Sequence, residues 1–390
     1  MDNRKKNLKL CRITTVPISL RILMDGQLVE MGKRGFDVTA LSSPGEWMEQ
    51  IEKDWGLRTL SIPMSRHISP LRDLISLWGL YKIFLRERFD IVHTQTPKAG
   101  LLGMLAACAA KVPLRVHTFS GTASDENSNF KWKIVSYTDR ITALAANRCL
   151  AVSNSLRDLL TRRRTCDQEK LQVLLNGSSN GVDLERFTRT PDVEQRGGKI
   201  RKELGIPEND YIILFIGRVV KDKGITELVK AFQLLDQQNT HLVIVGPRED
   251  SIDPVPDGIL SEIESNSHIH ETGFQSDVEA YLVCCTLLVL PSYREGFPNT
   301  PLQASAMEKP VISTKITGVV DAVKDGVTGL LVPASDHVSL AEKIKMLLAD
   351  ENLRNRLGKS GREWVEGNFK REKIWDELER VYRNGFSSYN

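Results

Sequence analysis

Along the first half of the chain, short β-rich apolar runs alternate with longer stretches whose apolar positions recur every three or four residues. "LCRITTV", "FDVTALSS", "FDIVHTQ", "LRVHTFS" and "RCLAVS" read as strands. Between them, stretches such as Leu71 to Glu87, "LRDLISLWGLYKIFLRE", read as amphipathic helices. Strands separated by helices of this length predict βαβ units, that is, a parallel sheet covered on both faces. Residues 188–201, "TRTPDVEQRGGKIR", interrupt the rhythm: they are polar, carry Pro191, Gly197 and Gly198, and read as an inter-domain linker. The pattern then restarts with "YIILFIGR", "HLVIVGP", "HIHETGF", "TLLVLPS", "PVISTK" and "TGLLVP". A last helix, "KREKIWDELERVYRNGF", aligns Ile374, Trp375, Leu378, Val381 and Tyr382 on one stripe suited to packing back on another domain. The expected organisation is two doubly wound α/β domains over 1–190 and 191–368, with a returning helix over 369–390.

The chain's 390 residues and 41% apolar content suit two such domains. A net charge of +3 hides an asymmetry: residues 1–187 hold 28 Lys/Arg against 19 Asp/Glu, and the remainder holds 25 against 31. The basic half fits either an anionic partner, such as phosphate or an acidic leaflet, or a solvated surface with no partner. Arg66, Arg72, Lys82, Arg86 and Arg88, on and around the helical stretch 71–87, form the part of this half expected to approach an anionic membrane peripherally. Cys11, Cys108, Cys149, Cys166, Cys284 and Cys285 lack C-x-x-C spacing and read as reduced core residues. The basic N-terminus leads into a strand rather than a long apolar core, and no stretch approaches the length of a spanning helix. A cytoplasmic protein, placed at most against the inner face of the plasma membrane, is the expectation.

Ligands of open α/β sheets bind beyond the carboxyl ends of the strands, so the strand-to-helix turns hold the candidate chemistry. In "FIGRVVKDKGITELVKAF" the strand ends at Gly217, and Arg218 and Lys223 precede a helix. Two cations beside free helix N–H groups make a diphosphate site. In "LPSYREGFPNTPLQASAMEKPVI", Glu295 and Gly296 form a turn, and Asn299 or Thr300 is expected to cap the helix that Pro301 opens. Its N–H groups suit a second phosphate, whereas the Glu295 carboxylate suits a neutral polyol. Anion site and polyol acceptor together describe a sugar nucleotide. There is no G-x-G-x-x-G after the first strand and no plausible D-x-D element, so neither a dinucleotide cofactor nor a metal is expected.

These residues resemble a known family. "GRVVKDKG", "VGP", "GFQSDVEAYL", "LPSYREGFPNTPLQASAMEKPVI" and "GVTGLLVP" look like the donor-binding half of glycosyltransferase family 4, retaining enzymes of the GT-B fold. "DIVHTQTPKAGLLGMLA", "LAVSNSLRD" and "NGSSNGVDLERF" look like its bacterial capsular and surface-polysaccharide branch. The resemblance implies two Rossmann-like domains facing across a cleft. It implies a nucleotide-sugar donor, UDP-linked, with Arg218 and Lys223 on the diphosphate and Glu295 on the donor sugar. Gly217, Gly246, Phe274, Gly296, Phe297, Asn299, Thr300 and Gln303 complete the donor site. It also implies a polyprenyl-diphosphate-linked or saccharide acceptor and no nucleic acid.

The chain departs from the family at two places. Position 303, where the family places a second acid for the ribose, is Gln303, which accepts fewer hydroxyls without charge. Before Gly121, where a His or Arg is common, it has Ser120. His117 either takes over a polar role or faces the core. His93 ends its strand; Thr96 resembles an N-cap and Pro97 a first-turn residue, and Lys98 either serves an acceptor phosphate or belongs to a helix packed through Gly100 and Gly103. The expected activity is transfer of a hexose or N-acetylhexosamine; the alternative is a catalytically weak GT-B subunit that binds or scaffolds, for which Gln303 and Ser120 speak.

Overall fold

The computed structural model describes residues 7–66, 69–121, 130–235, 238–249 and 253–388. The chain divides into two compact units, one running to Asn180 and resuming at Arg371, the other spanning Gly181–Lys370.

The first unit is a seven-stranded parallel sheet of β1 (Leu8–Ile13), β2 (Phe36–Ser42), β3 (Arg58–Ser61), β4 (Ile91–Gln95), β5 (Leu114–Phe119), β6 (Arg148–Ala151) and β7 (Leu171–Val173). Their order is β3-β2-β1-β4-β5-β6-β7. The central strand β1 sets Leu10 against Val38 on one side and Ile91 on the other. These residues are fully or nearly fully buried, as expected of a sheet covered on both faces. Helix Arg371–Ser387 completes this core: Ile374, Trp375, Leu378 and Tyr382 are buried among Leu10, Phe36, Ile91 and Leu114.

The second unit is a six-stranded parallel sheet of β8 (Tyr211–Ile216), β9 (Thr240–Val245), β10 (Ile269–Gly273), β11 (Leu287–Leu290), β12 (Val311–Thr314) and β13 (Gly329–Val332), in the order β10-β9-β8-β11-β12-β13. Alternation along β8 feeds two cores. Ile213 and Phe215 pack with Leu228 and Phe232 on one face, and Ile212, Leu214 and Ile216 pack with Leu282 and Leu302 on the other.

Two expectations require correction. Residues 188–201 are no linker: Thr190 caps helix Pro191–Glu203 through its side chain, Val193 N–H being the donor, and Pro191 occupies the first turn. Helix Pro70–Glu87 is apolar on both sides rather than one. It buries Ser76, Leu80 and Phe84 and leaves Leu71, Leu74, Ile75 and Trp78 exposed. Among the described residues, no helix is long and apolar enough to cross a membrane.

Candidate functional site

Two loops of the second unit, both at carboxyl ends of strands, are joined by specific bonds. After β8 the chain passes through Gly217 and Arg218 into a 3₁₀ turn, Lys221–Lys223. Gly224, at φ 73°, then starts helix Ile225–Gln233. A Cβ at Gly224 would lie 2.0 Å from the Pro291 carbonyl oxygen, so both the left-handed backbone and the close approach of the loop after β11 require glycine. That second loop is held by Tyr293 N–H, which donates to the Asp222 carbonyl at 2.8 Å, and by Arg294, which bonds Asp222 Oδ2 at 2.8 Å. The Tyr293 hydroxyl bonds Glu227, and burial beside that carboxylate pushes the phenol above its ordinary value.

These loops bring Lys223 and Glu295 together. Lys223 Nζ donates to Glu295 Oε1 at 2.5 Å, and Ser292 Oγ donates to the same oxygen at 2.8 Å. Both bonds fall on Oε1, so the carboxylate is oriented with Oε2 left to accept from a neutral hydroxyl. Lys223 and Glu295 side chains are 17% and 12% exposed, which makes the pair weakly screened. Arg218 differs: it is 40% exposed and its partner at 2.6 Å is Glu249. An exposed pair of this kind is worth about 0–1 kcal/mol, so Glu249 holds the guanidinium only weakly.

Helix Asn299–Ala306 follows Glu295 as expected, but its cap does not. Pro298 occupies the N-cap position, Asn299 is already helical, and no side chain caps the helix. The first-turn N–H groups of Asn299 and Thr300 therefore have no side-chain acceptor from the cap, whereas Pro301 contributes none. Gly296 is buried and Phe297 half-buried, its ring 5.4 Å from that of Phe369. Gln303 lies half-buried on the same helix, one turn in. Gly246 follows β9 and donates its N–H to the Gly273 carbonyl at 2.8 Å; Phe274, next along, is 47% exposed.

Sequence reasoning missed four contributors. Glu249, Asp222 and Ser292 act through partners distant in the chain or with no motif of their own. Gly318, at φ 81°, supports the Glu295 loop from beneath, where a Cβ would lie 2.2 Å from the Gly296 carbonyl oxygen. Its one signal is a glycine between a strand and a helix in "TGVV".

The candidates of the first unit fare otherwise. His93 is 1% exposed. It bonds Thr118 Oγ1 at 2.7 Å and the Tyr382 hydroxyl at 2.6 Å, and it lies against Arg12. Burial, with Arg12 beside it, keeps it neutral well below the ordinary imidazole range. His117 bonds Thr94 Oγ1 at 2.8 Å, is equally enclosed, and is pushed down to about 3 by desolvation. Both are core hydrogen-bonding groups and not residues presented to an acceptor. Gly100 is where His117 finds room: a Cβ there would lie 2.4 Å from the ring.

Thr96 does hold the N-cap position of helix Pro97–Ala109, but its hydroxyl bonds Thr15, and the Thr15 hydroxyl accepts instead from Ala99 N–H at 3.2 Å. Lys98 donates to both oxygens of Asp73, at 2.8 and 3.0 Å, which ties it to the neighbouring helix. Ser120 is exposed, and its hydroxyl accepts from Gln95 at 2.8 Å.

The geometry is matched by what the chain is similar to. The family model described as "Glycosyl transferases group 1" matches residues 198–364, and that described as "Glycosyltransferase Family 4" matches 27–186. The capsular polysaccharide biosynthesis glycosyltransferase CapM of Staphylococcus aureus is 35% identical over 97% of each chain. An Escherichia coli UDP-Gal:alpha-D-GlcNAc-diphosphoundecaprenol alpha-1,3-galactosyltransferase is 28% identical over 84% of each. HepE of Anabaena, solved in complex with UDP and glucose, superposes with a TM-score of 0.81 at 16% identity, covering 97% of this chain and all of that one; its likeness is one of GT-B fold.

Proposed function

From the premise that this chain belongs to glycosyltransferase family 4, we propose that it moves a hexose or N-acetylhexosamine from a UDP-linked donor to a polyprenyl-diphosphate-linked or saccharide acceptor in surface polysaccharide synthesis. The proposed transfer retains the anomeric configuration and uses no metal ion. Two relatives support the acceptor class by their names, which specify diphosphoundecaprenol-linked substrates.

The observation that carries this reading is the fixed Lys223–Glu295 pair, with Arg218 on the same strand-end loop as Lys223. Arg218 and Lys223 take the donor diphosphate. As the bond between the anomeric carbon and the β-phosphate oxygen breaks, its electron pair passes to that oxygen, and the two cations stabilise the charge that grows there. The acceptor hydroxyl attacks from the face the nucleotide leaves, and its proton passes to the departing phosphate. Glu295 Oε2 accepts from a hydroxyl of the donor sugar and fixes its orientation. Uncapped N–H groups at Asn299 and Thr300 add neutral donors toward phosphate.

The test is transfer or donor hydrolysis by purified protein with Arg218→Ala and Lys223→Ala. Each variant should lose turnover by about 10²-fold or more. Unchanged turnover in both rejects the diphosphate assignment. Gln303 favours a second reading, a binding subunit of low activity. Restored donor affinity and transfer in Gln303→Glu would place the chain among enzymes weakened at the ribose, and inactivity of both forms would favour the subunit.

A further inference from the structure

The exposed side of helix Pro70–Glu87 forms a continuous apolar stripe. Leu71 is 79% exposed, Leu74 61%, Ile75 72% and Trp78 58%, at the i, i+3, i+4 and i+7 spacing that lines one face. Four large apolar side chains solvated together on one helix form a patch and not the scattered exposure normal for a surface.

The exposed charges on this helix are of one sign. Arg72 and Lys82 are exposed beside it, with Lys82 Nζ 5.3 Å from the centre of the Trp78 ring. The two acids of the helix point elsewhere: Asp73 holds Lys98, and Glu87 holds Arg58 at 2.6 Å along with the adjacent Arg86. A second copy of the same face would set cations against cations, so self-pairing is opposed by the charge that surrounds the patch.

We infer that this face docks on a membrane surface containing acidic lipids. The helix lies in the plane of the headgroups: its leucines, Ile75 and Trp78 enter the acyl boundary, while Arg72 and Lys82 reach lipid phosphates along their aliphatic stems. Trp78, stacked on Tyr81 at 5.4 Å, is the residue type that settles at this boundary. The use of such docking rests on the lipid-linked acceptor proposed above, although the observations behind it do not.

The experiment is flotation of the full chain with vesicles of phosphatidylcholine alone and with phosphatidylglycerol added. Co-flotation with the acidic vesicles is expected, with loss of about tenfold or more in bound protein for the triple variant Leu74→Ser, Ile75→Ser, Trp78→Ser. Arg72→Gln with Lys82→Gln should abolish the preference for acidic lipid. All replaced side chains are solvent-exposed, so thermal melts of the variants should match that of the parent. Absence of flotation by the parent, equal flotation by the triple variant, or a parent dimer that the triple variant converts to monomer overturns the inference. Donor hydrolysis measured without vesicles should be the same in all three proteins. Failure of hydrolysis alongside intact flotation would refute the enzymatic reading and leave the docking face standing.

Discussion

The two units share a strand order and a doubly wound plan, yet they treat the ends of their strands in opposite ways. In the first, Arg12, His93, Thr94, Gln95, His117 and Thr118 turn inward and satisfy one another in the core, His117 through Thr94. In the second, the corresponding loops hold Arg218, Lys223 and Glu295 at partial exposure, paired with acids or oriented by them. A polar residue at the carboxyl end of a strand is thus not by itself a sign of a site. What separates the two cases is whether its partner is a neutral core group or a charge that a ligand can replace.

The comparison breaks most sharply if the polar groups of the two units prove interchangeable. Arg218→Ala should remove about 10²-fold or more of turnover while leaving the melting temperature nearly unchanged, and Lys223→Ala should remove as much turnover while also lowering the melting temperature, because it strips enclosed Glu295 of its cation. His93→Ala should do the reverse: it leaves Arg12 buried with fewer partners and should lower stability by about 2–4 kcal/mol by chemical denaturation.

Next in size, Gly224→Ala forces a Cβ against the Pro291 carbonyl and should destabilise the second unit by about 1–3 kcal/mol. Weakened donor binding, read by nucleotide-dependent thermal shift, should accompany that loss. Gln303→Glu adds a charged acceptor and should tighten donor binding by about tenfold, measured as a lower KM.

A last prediction concerns pH, where two buried groups oppose each other and the net effect on the parent is small. His117 binds its proton near 3 when folded, against an ordinary value of 6.5. Between those values the unfolded chain holds the proton and the folded one does not, so this residue makes stability fall as pH drops from 6.5 toward 3. Asp139, raised from 3.8 to about 7 by burial, works the other way between those values and so opposes His117 where the two ranges overlap. The contribution of His117 is therefore read as the difference in urea midpoint slope between the parent and His117→Asn. Equal slopes would mean that His117 is solvated after all.

Most strands were legible because they are short β-rich runs set between helical patterns, and β8 and β11 are apolar throughout, "YIILFI" and "LLVL". β3 and β7 were not: "RTLS" and "LQV" are short edge strands, half-exposed and without an apolar run. Helix Pro191–Glu203 was misread because Gly197 resembles a breaker. A Cβ there would lie 2.4 Å from Val283, so the glycine lets two helices approach closely. At the site, Glu295, Arg218 and Lys223 could be read from local motifs. Glu249 and Gly318 could not, since their roles arise from proximity across the fold. His93 and His117 stay ambiguous in the sequence for the converse reason: burial, which sequence does not display, decides between a ligand and a core group.

Arg12 bears on the order in which the protein takes shape. Its guanidinium is fully buried in β1, among the described residues no carboxylate pairs with it, and one of its hydrogen bonds, at 3.3 Å, runs to the Tyr382 hydroxyl. β1 thus carries a cation that cannot be fully enclosed until residue 382 has been made. Gly181–Lys370 is contiguous and complete before then. The unit translated later is accordingly the first that can finish folding, and β1 waits, unsealed, until helix Arg371–Ser387 has been made.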